Sequence, residues 1–176
     1  MERFTCDWIH NILVVLCDGK VVCGCADPYG LRPLGDANEQ SLQEIWNSNL
    51  AKEIRQGLNK GFAKFCHPCG LRCHLGESDP LPQYPLEHGH IPRLFIEPTV
   101  LCNLDCYKSV CNKASGIYST RSKNMMDLEL FQKLVRQYPD NSVLKINLAI
   151  ATLNRQREGD EQAALELPPD PGRRHP

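Results

Sequence analysis

Ten cysteines in 176 residues fall into three groups: Cys6, Cys17, Cys23 and Cys25; then Cys66, Cys69 and Cys73; then Cys102, Cys106 and Cys111. The third group follows the apolar run Arg93-Leu94-Phe95-Ile96-Glu97-Pro98. Three thiolates close together can hold three corners of an iron–sulfur cluster and leave a fourth iron open to a ligand. The second group, Cys66-His67-Pro68-Cys69-Gly70-Leu71-Arg72-Cys73, places two thiols three positions apart. A two-residue gap lets one turn of backbone aim both sulfurs at a single centre, and Gly70 is expected to permit the bend. A fourth ligand is still needed, and Cys6, Cys23 and Cys25 are candidates. Zinc and iron–sulfur both suit such a set.

Composition narrows the context. Twenty basic residues against 21 acidic ones leave a charge near zero, which gives no electrostatic case for nucleic acid or a membrane surface. The start at Met1 has no basic segment followed by an apolar one, so no signal peptide is expected. The longest apolar run, Ile12 to Cys17, is far short of the ~20 residues that span a bilayer. The expected location is the cytoplasm, where reduced thiols serve metals more often than disulfides.

Several elements must position these thiols. Apolar runs flank Asp18-Gly19, which predicts a hairpin with positive φ at both turn positions. Cys23 and Cys25, two apart on the second strand, would face the same side. Ser41-Leu42-Gln43-Glu44 is a capping box opening a helix with Leu42, Ile45, Trp46, Leu50 and Ile54 on its apolar stripe, ended by Gly57 or Gly61. Trp46 is expected in the core. Four prolines in residues 78–92 deny regular ladder bonds and mark a linker or an extended crossing segment. Leu94 to Glu97 then reads as a strand, Asp127 as the cap of a helix carrying Leu128, Phe131, Leu134, Val135 and Tyr138, and residues 144–150 as a second strand, although Leu144, Leu148, Ala151 and Thr152 also share a helical face. Residues 151–176 are charged and proline-rich and are expected to be disordered. His67 and His74 are expected beside the cysteines without ligating, and His88 and His90 on the surface.

The ordered run Cys6-Asp7-Trp8, Cys17-Asp18-Gly19-Lys20-Val21-Val22-Cys23, Asp27, Leu34-Gly35-Asp36, Ser41 to Ser48 and Cys66-His67-Pro68-Cys69 resembles the SPASM or twitch module of radical S-adenosylmethionine enzymes. The resemblance implies an auxiliary [4Fe–4S] cluster on Cys6, Cys23, Cys66 and Cys69, with Cys17, Cys25 and Cys73 as extra thiols. Residues 94–107 resemble the first strand and cluster loop of that family's core. There the resemblance implies a second [4Fe–4S] cluster on Cys102, Cys106 and Cys111, Tyr107 at the position of a family aromatic, and S-adenosyl-L-methionine on the open iron. Four residues separate Cys106 from Cys111 where the family has two, the module precedes the core, and no glycine-glycine-glutamate motif follows residues 144–150.

The expected fold is therefore α+β. It comprises a cysteine-rich module of hairpin plus helix over residues 1–77, a linker over 78–92, and the first strand–helix–strand unit of an incomplete (β/α) radical S-adenosylmethionine barrel over 93–150. With so short a core, impaired or absent catalysis by the chain alone is the expectation, with a partner chain or oligomer covering open edges. The resemblance further implies a peptide or small-molecule substrate and a reductant such as a flavodoxin or ferredoxin. The rival readings are a non-catalytic metal-binding module, with zinc or a cluster serving folding or partner binding, and a fragment of a longer enzyme. No catalytic side chain can be named from the sequence.

Overall fold

A computed structural model describes residues 2–24, 27–101 and 116–138. The architecture is mixed α and β. A strand β1 (Arg3–Thr5) leads into a single helical turn, α1 (Trp8–Asn11), and then the hairpin of β2 (Ile12–Val15) and β3 (Lys20–Val22). β4 (Gly35–Asp36), α2 (Leu42–Trp46), α3 (Asn49–Asn59), β5 (Cys73–Leu75), β6 (Arg93–Ile96) and α4 (Leu128–Gln137) follow. β1 and β5 pair antiparallel, with Thr5 opposite Cys73. The other four strands form one sheet in the order β4-β3-β2-β6. β2 is buried along its whole length, as a central strand of Ile, Leu and Val should be.

The hairpin differs from the expected two-residue turn. Leu16 pairs with Lys20 (Leu16 N to Lys20 O, 2.9 Å), and the Gly19 N–H returns to Leu16 O at 2.9 Å. Cys17, Asp18 and Gly19 thus form a three-residue loop, and its last residue takes the positive φ, +94° at Gly19. This is the type I turn with a bulge at glycine, an alternative solution for joining two twisted strands. Cys17 consequently lies inside the turn, buried, and its thiol donates to Lys123 O at 3.1 Å.

The capping box forms: Glu44 N donates to Ser41 Oγ, and the Glu44 carboxylate accepts from Ser41 N. The single helix expected beyond it is two. Ser48 caps again, accepting from Ala51 N at 3.2 Å, and a second cap requires a residue with extended backbone. The break frees Asn47, whose amide holds both backbone groups of His88 (2.9 and 3.0 Å). Asn59 grips Tyr84 in the same way, at 2.7 and 2.9 Å. The proline-rich stretch therefore runs extended along α2 and α3, with side-chain amides replacing the ladder partners that proline denies. Trp46 is fully buried, as expected.

β6 lies parallel to β2, with Ile12 opposite Arg93 and Val15 opposite Ile96. The chain after it folds back on itself, since Val100 N donates to Asn124 O (3.0 Å) and Met126 N to Pro98 O (2.8 Å). An ion pair of a buried arginine and a partly buried glutamate locks this return: Arg121 donates to Glu97 at 2.8 and 2.9 Å and to Pro28 O at 2.6 Å. Residues 1–130 form one compact unit, and a second begins at Phe131. α4 covers the predicted helix; Leu130, Phe131, Leu134 and Val135 are its buried residues. The predicted strand at 144–150 and the tail from 151 lie outside the described residues. Among the described residues no helix is long and apolar enough to cross a membrane.

The Arg121 side chain is wholly buried, so Arg121→Met should strand the Glu97 carboxylate and destabilise the fold by about 3 kcal/mol. A urea titration followed by tryptophan fluorescence measures this.

Candidate metal centre

Four cysteines far apart in sequence line one cavity: Cys6, Cys23, Cys66 and Cys69. They arrive by three local devices. Cys6 stands just before α1, whose first N–H groups, on Trp8 and Ile9, have no helical acceptor and point at its sulfur. Cys23 follows β3, and Gly24 (φ +67°) turns the chain there; a Cβ on Gly24 would lie 2.6 Å from the Trp8 ring. Cys66 ends a 3₁₀ turn, and Cys69 N donates to Cys66 O at 2.9 Å. That single turn brings both sulfurs of the second group to the cavity. The Leu71 N–H then donates to Cys69 Sγ at 3.4 Å.

Gly70 plays no part in the bend. It does not adopt positive φ, and a Cβ there would meet nothing within 4 Å. The expected need for glycine is not found; the turn between Cys66 and Cys69 is made by ordinary backbone. Strand alternation does not carry past Cys23 either, since β3 ends at Val22 and Gly24 redirects the chain.

The remaining thiols are placed elsewhere. Cys17 lies in the hairpin turn and Cys73 is exposed on β5. Cys25, Cys102, Cys106, Tyr107 and Cys111 lie outside the described residues. His67 and His74 are exposed, the latter 3.1 Å from Glu2. His88 is not a surface residue: it is half-buried, its Nε2 is 3.1 Å from His10 Nδ1, and its ring sits against Trp46. His90 is exposed, as expected.

The six described cysteines are all free thiols. Burial, then the proximity of Cys6 and Cys69, pushes the Cys66 thiol up to about 12, against the opposing pull of Arg32 and Arg72. Burial likewise raises Cys6, and burial reinforced by the other three thiols raises Cys23. Four neighbouring thiols cannot ionise together in a low-dielectric cavity unless a cationic centre arrives with them.

Arg55 presents the complementary problem. It is 0% exposed and donates only to main-chain oxygens: Nε and one terminal nitrogen to Ile9 O (3.2 and 3.0 Å), the other to Leu86 O at 2.9 Å. Its guanidinium stacks on Trp46, 4.5 Å from the ring centre. Among the described residues no carboxylate pairs with it, and the ionisable group that acts on it is the Cys23 thiol, neutral in the metal-free protein. A buried cation without an anion is costly. An anionic thiolate-bound centre in the cavity would complete it, so the donor set and its surroundings fit a cluster.

Among the described residues, no group of three or more His, Cys, Asp or Glu side chains is arranged to hold a single metal ion. A family model described as SPASM, an iron–sulfur cluster-binding domain, matches residues 6–73. The matched SPASM region begins at the first cavity thiol and ends at Cys73, so every described cysteine falls within it. No curated protein and no solved structure matches the chain. Sequence reasoning missed Arg55 and Arg32, both of which surround the thiols. An arginine on the otherwise apolar face of Ile54 and Leu58 was the available signal for the first.

Two outcomes follow for the metal-free protein. At pH 8 a thiol titrating near 12 is ionised in about one molecule in 10⁴, so iodoacetamide should modify exposed Cys73 long before Cys66, as peptide mass spectrometry would record. Because burial raises Cys66 from 9.0 to about 12, its contribution to stability is full below pH 9 and is lost as pH climbs toward 12. Metal-free protein should therefore unfold at lower urea as the buffer is raised above pH 9, and a flat profile would contradict the burial of these thiols.

Proposed function

We propose that this chain is an iron–sulfur protein whose Cys6, Cys23, Cys66 and Cys69 hold one auxiliary [4Fe–4S] cluster. The observation that carries this reading is the gathering of four thiols from three separate segments around one cavity, backed by a buried Arg55 that has no carboxylate partner among the described residues. The match of residues 6–73 to an iron–sulfur cluster-binding domain favours a cluster over zinc, which four thiolates could also hold. When bound, the cluster supplies a one-electron couple whose potential depends on charge, hydrogen bonds to sulfur and exposure. The chain's residues do the rest: Trp8 and Ile9 exclude water from one wall, and the Leu71 N–H stabilises the Cys69 thiolate.

The finer reading is of the radical S-adenosylmethionine type. In it residues 1–77 are the auxiliary module and 93–150 begin the core, where Cys102, Cys106 and Cys111, with Tyr107 beside them, hold a second cluster that binds S-adenosyl-L-methionine. The sequence of residues 94–107 supports this reading, together with β6, a strand just before that loop which pairs parallel to β2. A reducing, cytoplasmic setting and a one-electron donor protein belong to the same proposal.

Anaerobically isolated protein should be brown and contain iron and acid-labile sulfide, with a paramagnetic signal after reduction. Stoichiometric zinc without sulfide after reconstitution would overturn the cluster reading. Replacing Cys66 and Cys69 together by alanine should remove part of the iron and leave the signal of the Cys102/Cys106/Cys111 centre; loss of both signals from a folded variant would argue against two centres.

A further inference from the structure

Arg32 is the one cationic side chain that lines the thiol cavity among the described residues, and three independent contacts fix it there. Its backbone N–H donates to the Asp27 carboxylate at 2.7 Å, and the other oxygen of that carboxylate accepts from Leu31 N at 3.1 Å. Asp27 is itself buried, so the turn carrying Arg32 is closed by a rigid acceptor. The guanidinium donates to Phe65 O at 2.5 Å and sits 5.2 Å from the centre of the Phe65 ring. Phe65 precedes Cys66, so the group that holds the cation also carries one of the thiols. No carboxylate forms an ion pair with the Arg32 side chain among the described residues, and its charge is left for the cavity. Planar stacking with a fork of donors is a job for arginine, not lysine.

From this geometry we infer that Arg32 is a positioning residue that raises the reduction potential of the centre held by Cys6, Cys23, Cys66 and Cys69. The inference rests on the cluster ligation proposed above. Reduction adds one electron to the centre and moves no proton or atom of the chain, so the centre's charge becomes more negative by one. A fixed cation in a partly dry cavity stabilises the reduced form more than the oxidised form. Arg55, behind the wall made by Ile9, adds a second cation, this one fully buried. The centre would therefore accept electrons from milder donors than an uncompensated thiolate cluster could use.

The test is a mediated redox titration of the whole chain, reconstituted anaerobically, with dithionite as the electron source and the spectrum of the auxiliary centre as the readout. Removing the charge in Arg32→Gln and Arg32→Met should lower the ratio of reduced to oxidised centre at a given poise roughly tenfold, which for a one-electron couple is about 59 mV. Arg32→Lys should recover part of the shift, and Arg93→Gln, at an exposed arginine outside the cavity, should produce none. A wild-type ratio in loaded Arg32→Gln or Arg32→Met would overturn the inference. So would a folded pair of charge-removing variants that cannot take up iron, because Arg32 would then serve assembly and not potential. Failure of the wild-type chain to take up iron and sulfide would instead defeat the cluster ligation itself, so the two ideas fail by different signs.

Discussion

Gathering thiols into a buried cavity sets the terms for everything around it. Each of Cys6, Cys23 and Cys66 is held in a place where its thiolate is disfavoured, chiefly by burial and then by its neighbours. Left to themselves the thiols stay protonated; a cationic iron centre reverses the balance and releases the protons. The guanidiniums answer the same constraint from the other side. Arg55 is buried against carbonyl oxygens and an indole face, with no carboxylate paired to it among the described residues. Anion-free cations and charge-averse thiols in one small volume each supply what the other lacks once a negatively charged cluster occupies the site.

The scaffold is short, and its stability depends on borrowed hydrogen bonds. β1 and β5 are three residues each and β4 is two, too little for independent sheets. Side chains fill the gap. Asn47 and Asn59 act as surrogate strand partners for the extended segment after Glu77, and Arg55 ties that segment's Leu86 carbonyl to the Ile9 carbonyl at the cavity wall. One fully buried side chain thus links the extended segment, the helix α3 and the thiol site. That gives cluster occupancy a physical route to the stability of the whole unit.

β6 extends the same economy. By pairing parallel to β2 it puts the residues before the third cysteine group on the edge of the sheet that also carries the hairpin. The Glu97–Arg121 pair and the return of residues 124–126 to 98–100 then fix both flanks of that group. Chain on either side of the proline-rich segment is therefore held by one hydrogen-bonded sheet, although a composition break at residues 78–92 is what the sequence displays.

Local chemistry was legible in the chain itself. The capping box at Ser41–Glu44, the burial of Trp46, the hairpin near Gly19 and the helix beginning at Leu128 all follow from interactions within a few residues, and propensity and periodicity encode those. So do the grouped cysteines and the short turn from Cys66 to Cys69. Which thiols share a cavity was suggested by resemblance and rested on tertiary structure, because Cys6, Cys23 and the Cys66–Cys69 turn meet only when β1, β3 and the segment after α3 pack together. The second cap at Ser48, the three-residue turn holding Cys17, the burial of His88 and the anion-less Arg55 were also decided there. In each case a partner tens of residues away outweighs the local preference, and neither spacing nor composition carries information about such a partner.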